Sequence, residues 1–302
     1  MTVAFSNIPG FKNWDIIKPI NKGWSDDKKY YIKTKDEKEL LLRLSDISQY
    51  ENKKKEFESL KPLTKMDILF TRPIDFGTCN DGQSVYSILT WIDGEEASDA
   101  LPALDSREQY MLGNKAGMYL KQIHSIPAPQ NQPNWAERFN RKIDRKIANY
   151  KACSIHFHSD DRLIDYIEQN RSLLINRSQS FQHGDYHVGN MIITPKRELG
   201  IIDFNRMDYG DPWEEFNRIT WCVEISPMFA SGYINGYFDN AVPGLFFRLM
   251  ALYIASNQLS SIPWAIPFGE KEVDIMLKQT QSFMKWYDGF KTHIPNWYVA
   301  LD

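Results

Sequence analysis

The sequence predicts an α+β protein of two lobes, a small β-rich N-terminal lobe and a larger, mostly helical C-terminal lobe. Three observations carry this expectation. Short apolar runs separated by polar turns fill residues 14–45 and recur at 85–92. The turn Asp93-Gly94-Glu95-Glu96 then marks a change to helix-forming composition. From Ser106 onward, apolar residues recur mainly at helical spacing. The expected domains are therefore residues 1–92 and 93–302.

In order along the chain, residues 14–20 and 30–33 read as strands joined by a polar loop, and 39–44 as a third strand after the turn at 34–38. Strand, polar loop, strand is the layout of a flap over a nucleotide. Backbone N–H groups of residues 22–27, including Gly23 and Ser25, can face phosphates there. With one glycine, the same segment also reads as a charged, solvated hairpin. A helix is expected over 49–63, where Phe57, Leu60 and Leu63 define an inward face bordered by Glu56. Residues 85–92 form a further buried strand, and the lobe connection follows it. Helices are expected from Ser106 to about His124, stopped by Pro127-Ala128-Pro129, and then over 138–153, 161–174, 213–223, 243–259 and 272–286. The second of these is strongly basic, with Arg141, Lys142, Arg145 and Lys146, and reads as a solvated face.

The chemistry-bearing segments lie between those helices. Residues 183–190 read His-Gly-Asp-Tyr-His-Val-Gly-Asn, and Ile201-Ile202-Asp203-Phe204 follows. Two apolar runs, 191–193 and 199–202, flank the turn-rich link 194–198, which implies a hairpin with Asn190 at its entry and Asp203 at its exit. Phosphoryl transfer needs a group to align the attacking hydroxyl and oxygen ligands for magnesium beside the phosphates. Asp185 fits the first task, as the residue that accepts the hydroxyl proton. Asn190 and Asp203 fit the second, because Mg²⁺ takes hard oxygen ligands and shares them with substrate phosphates. His183 and His187 read as ordering groups for the loop.

These motifs resemble those of the aminoglycoside phosphotransferases, which share the protein-kinase-like fold and lie close to the choline kinases. The resemblance rests on His-Gly-Asp-x-His-x-x-Asn, filled through Asp185 and Asn190, on the Ile-Asp-hydrophobic turn at Asp203, and on Gly210-Asp211-Pro212. It implies a bilobal kinase that uses ATP or GTP, with the nucleotide between the lobes. It also implies a phosphate-contacting cation on the third strand, where this chain carries Arg43 in place of the usual lysine. Arginine keeps the charge and can hold phosphate oxygens through two N–H groups. Glu56 is the expected partner of Arg43, with Glu51 and Glu58 as competitors and Lys33 as the substitute cation. By the same resemblance, residues Thr90, Trp91 and Ile92 are candidates for contact with the purine edge.

The acceptor is less specified. Asp211, Glu214, Glu215 and Glu224 are the acids nominated for substrate, and such a cluster would attract a cationic hydroxyl compound. Asp211 before Pro212 also reads as a helix cap. An aminoglycoside, and hence antibiotic resistance, leads the reading. Choline, an amino sugar, a methylthio sugar or a macrolide are the alternatives, as is a module that binds nucleotide without transfer. A formal charge of −3 gives no basic footprint for nucleic acid. A hydrophobic fraction of 42% against 25% charged residues suits a soluble globular chain. No segment reads as a signal peptide or membrane span. Cys79, Cys153 and Cys222 lack metal-ligand spacing and suggest free thiols in a cytoplasmic protein.

Overall fold

A computed structural model describes residues 5–22 and 26–300. The strands, in chain order, are β1 (Trp14–Ile20), β2 (Lys28–Thr34), β3 (Glu39–Asp46), β4 (Pro73–Cys79), β5 (Ser84–Thr90), β6 (Glu95–Glu96), β7 (Ser180–Gln182), β8 (Met191–Ile193), β9 (Leu199–Ile201) and β10 (Asp208–Gly210). The helices are α1 (Tyr50–Ser59), α2 (Ala97–Ala100), α3 (Ser106–Ile123), α4 (Trp135–Ala152), α5 (Asp160–Asn170), α6 (Ile219–Ile225), α7 (Pro227–Tyr237), α8 (Gly244–Ala265) and α9 (Glu270–Trp286). The fold is mixed, with a β-rich N-terminal sheet and a helical C-terminal part. The chain divides into two compact units. One comprises residues up to Glu96 together with Asn190–Asn205, and the other Ala97–Gly189 together with the chain from Arg206 onward. The hairpin after Asn190, placed by sequence with the second domain, thus belongs to the first unit.

In the first unit, five antiparallel strands follow the order β1-β2-β3-β5-β4. Side chains alternate across a strand, so Leu42 and Leu44 of β3 share one face, which packs with Ile32, Tyr86 and Ile88. Arg43 points to the opposite face and is nevertheless buried, at 7% exposure. Sequence reading missed β4. A second, three-stranded sheet holds β6, β8 and β9. Its β8–β9 pairing sets Met191 opposite Ile201 and Ile193 opposite Leu199. Backbone bonds from Ile201 to Leu69 and from Thr71 to Ile201 tie β9 to the segment before β4.

In the second unit, α3 starts at a capping box in which Asp105 accepts from the Glu108 amide and Glu108 accepts from the Asp105 amide. It packs on α7 at very short range. A Cβ on Gly113 would lie 2.0 Å from the Phe229 carbonyl oxygen, and one on Gly236 would lie 2.1 Å from that of Asn114. Only hydrogen at these positions lets the two backbones approach so closely. The α8 helix is buried for most of its length and runs to Ala265, past the expected end at 259. The α4 helix begins at Trp135, three residues before the expected start, because Asn134 caps it by accepting from the Glu137 amide. Strand β7 pairs with β10, Gln182 opposite Asp208 and Ser180 opposite Gly210.

Candidate active site

In the first unit the site is built around Arg43. Its Nε and Nη2 donate to Oδ2 of Asp27 at 3.1 and 2.7 Å, and its Nη1 donates to Oδ1 of Asp203 at 2.9 Å. Asp27 also accepts from the Ser45 hydroxyl at 2.6 Å and from Lys53 at 2.9 Å. Burial alone would raise the Asp27 pKa, but Arg43, Ser45 and Lys53 outweigh it and hold the carboxyl below its ordinary value. The guanidinium is therefore fixed by two carboxylates.

Neither of those carboxylates is Glu56. The expected Arg43–Glu56 pair is replaced by Arg43–Asp27, and Glu56 instead pairs with Lys53 at 3.1 Å. Lys53, three residues before Glu56 on α1, meets both Asp27 and Glu56 and links the helix to the Asp27–Arg43 pair. Asp27 was missed because it sits in a polar stretch whose composition marks it only as a turn. Gly23 and Ser25 lie outside the described residues.

At the end of the β8–β9 hairpin, the Ile202 amide donates to the Asn190 carbonyl at 3.0 Å. The ladder thus continues one step beyond Met191–Ile201, so that Asn190 and Asp203 leave the same end of the hairpin. Asp203 has a left-handed backbone, with φ 63°, a conformation that aspartate tolerates but that still costs energy. Among the described residues, no three His, Cys, Asp or Glu side chains form a metal cage. A magnesium ion shared with phosphates needs only one or two protein oxygen ligands. The Asp203 carboxylate and Asn190 amide are donors of that kind, so the residues present fit the ion.

The purine-edge candidates fit less well. The Thr90 amide donates to the Arg72 carbonyl at 2.9 Å, and the Trp91 amide donates to the Glu39 carbonyl at 3.1 Å. Neither N–H is left for a base edge. The Trp91 ring stands edge-on to Tyr31 at 5.2 Å, and Ile92 is buried, at 8% exposure.

In the second unit, Asp185 follows Gly184, whose φ of 85° and close approach to Arg206 exclude a side chain. A Cβ there would lie 1.9 Å from the Arg206 carbonyl oxygen. The Asp185 carboxylate lies 3.1 Å from Arg218 Nε, 3.6 Å from His187 Nε2 and 3.8 Å from Arg206 Nε. Burial works to raise its pKa. The His187 contact and the charges of Arg218 and Arg206 prevail and hold it well below the usual carboxylate range. Asp185 is thus an anion at any ordinary pH. Arg206 and Arg218 were not foreseen, since they reach the loop from segments distant in sequence.

The loop is braced from beneath by Glu215, which accepts from the Gly184 amide at 2.9 Å. Glu215 is only 2% exposed, and burial pushes its carboxyl from an ordinary 4.5 up to about 7. His124 Nε2 lies 3.6 Å away, but burial pushes His124 down to about 3, so that contact is not an ion pair.

The acids nominated for substrate divide accordingly. Asp211 is fully buried, with Arg177 at 2.6 and 3.0 Å, the Tyr253 hydroxyl at 2.6 Å and the Trp213 amide at 3.0 Å as donors. It caps the following turn and has no face for substrate. Glu215 is equally enclosed. Glu214 is engaged by Lys142 at 3.2 Å and Gln182 at 3.3 Å. Of the four, only Glu224 on α6 is exposed. A cluster of acids in sequence is therefore not an open acidic surface in the fold.

A model of the phosphotransferase enzyme family matches residues 16–247, and the chain belongs to that family. A comparison with curated sequences gave no match. Among solved structures, the chain is similar to the gentamicin complex of APH(2'')-IIa, with 17% identity over 89% of this chain and 91% of that one and a TM-score of 0.60. It is also similar to the ternary complex of a thermostable APH(4)-Ia mutant with ADP and hygromycin B (13% identity, 90% and 94% covered, TM-score 0.66). A third similar structure is the GDP complex of aminoglycoside 2'-phosphotransferase-IIIa (13% identity, 93% and 96% covered, TM-score 0.68). At these identities the likeness establishes the fold, that of the kinase-like aminoglycoside phosphotransferases. Among the described residues, no helix is long and apolar enough to cross a membrane.

Proposed function

We propose that the protein transfers the γ-phosphoryl group of ATP or GTP to a hydroxyl of a small molecule. The observation that carries the reading is the fixed Arg43–Asp203 pair at the hairpin end that also bears Asn190. Arg43 orients the phosphates through its remaining N–H donors. Asn190 and Asp203 would hold magnesium, which would supply neutralising charge at the phosphate oxygens. Asp185 receives the acceptor hydroxyl as a hydrogen-bond donor. A carboxylate so weakly basic orients the hydroxyl first and takes its proton only as the new O–P bond forms. The bond between the γ-phosphorus and its bridging oxygen then breaks, and the nucleoside diphosphate leaves. Positioning and charge stabilisation supply most of the rate.

Similar structures hold ADP or GDP, which supports a purine nucleotide donor. Others hold gentamicin or hygromycin B, which makes aminoglycosides the first acceptors to assay. Choline, amino sugars, methylthio sugars and macrolides follow. Incubation of the protein with Mg²⁺-nucleotide and this panel, read by mass spectrometry, should give one class of compound a phosphate-sized mass gain. Nucleotide binding with no transfer to any hydroxyl compound would instead point to a binding module.

A further inference from the structure

The second unit contains a pocket of about 430 Å³ lined by Arg138, Arg141, Lys142, Arg145, Asp208 and Glu214. Trp135 and Phe139, both nearly fully buried, form its apolar wall. The four cations recur along α4 at helical spacing and so project to one side. Two of them are matched by acids, Arg138 by Asp208 at 3.4 Å and Lys142 by Glu214 at 3.2 Å. The other two, Arg141 and Arg145, are exposed and have no ion-pair partner among the described residues. Like charges one helical turn apart repel.

We propose that this pocket binds an oxyanion and that the acceptor is a hydroxyl compound bearing a carboxylate or phosphate group, recognised by Arg141 and Arg145. The inference rests on the preceding reading that Asp185 receives the acceptor hydroxyl. Gln182 joins the two places within the unit: it lines the pocket, donates to Glu214 at 3.3 Å and lies three residues before Asp185 in the chain. The local potential agrees. Burial and the neighbouring cations Lys142, Arg218 and Arg145 push the Lys146 ammonium down to about 7, although Glu214 opposes them. A planar guanidinium suits bidentate recognition of carboxylate or phosphate. An acceptor carrying only ammonium groups would meet unmatched positive charge here.

The test has two arms, both on the full chain. Inorganic phosphate and malonate, titrated calorimetrically at constant ionic strength against a chloride control, probe the pocket directly. The tighter probe names the group recognised. The double variant Arg141→Gln/Arg145→Gln should weaken the tighter probe about tenfold or more, while Arg141→Lys/Arg145→Lys retains most of the binding. No saturable binding of either probe, or equal binding by the glutamine variant, would overturn the site. In the second arm, the acceptor found by mass spectrometry should carry an oxyanion, and its KM should rise in the glutamine variant. Transfer to an acceptor with ammonium groups alone, at a KM that variant does not move, would overturn the acceptor class while leaving the kinase reading intact. Anion binding without transfer to any hydroxyl would leave the site standing and remove the kinase reading.

Discussion

Arg43 Nη1 donates to Oδ1 of Asp203 at 2.9 Å, across 160 residues of chain. The contact joins the third strand of the sheet to the exit of the hairpin that carries Asn190. Asp27 holds the other edge of the guanidinium. A cation fixed in this way need not be reorganised when phosphate arrives, the general advantage of preorganised charge.

Arg43→Ala should leave the buried Asp27 carboxylate with only Lys53 and the Ser45 hydroxyl as partners. Loss of one partner of a buried pair costs about 3–5 kcal/mol, so the urea midpoint should fall substantially. Arg43→Lys should recover much of that stability and still weaken nucleotide binding by about tenfold, since lysine cannot present the same fork. Equal nucleotide affinity in the lysine variant would show that the fork does not touch phosphate.

Asp203→Asn should lower turnover by about a hundredfold or more and raise the Mg²⁺ concentration needed for half-maximal rate. A magnesium titration of initial rates checks this. An unchanged magnesium requirement would remove Asp203 as a ligand.

Asp211→Ala should act on stability rather than on acceptor binding. It strips Arg177 and Tyr253 of their shared acceptor in a buried place, at a cost of about 3–5 kcal/mol. Chemical denaturation measures the loss. A rise in acceptor KM at unchanged stability would return Asp211 to the substrate site.

Glu215 gives a pH signature. Its folded pKa of about 7 lies above its ordinary 4.5. Between those values the folded protein keeps a proton that the unfolded chain has released, so the Glu215 contribution to stability falls as pH rises through that window. The difference in unfolding free energy between the wild type and Glu215→Gln should therefore slope from pH 4.5 to 7 and level off below. A flat difference would mean that Glu215 ionises normally.

The hairpin bearing Asn190 and Asp203 was legible in sequence because apolar runs, a turn and a spacing occur together within twenty-odd residues. The meander through β3 and the helix α3 were legible for the same reason, each carrying its period within one window. The α7 helix was not, because almost all its residues are buried and no polar face marks its period. Nor were the partners of the site. Asp27 reaches Arg43, and Arg206 and Arg218 reach Asp185, through folding that brings separate elements together, and composition at those positions signals only turns or surface. The burial of the acids was not legible: Asp211 caps its turn, as its place before Pro212 implies, but it and Glu215 are buried braces, whereas Glu224 is exposed.

The most direct measurement is single-turnover phosphoryl transfer by Asp185→Asn, alongside its nucleotide affinity and its melting curve. Transfer should slow by about a hundredfold to ten-thousandfold, while nucleotide affinity and fold stay near wild type. Transfer at the wild-type rate would contradict the assignment of the acceptor hydroxyl to Asp185.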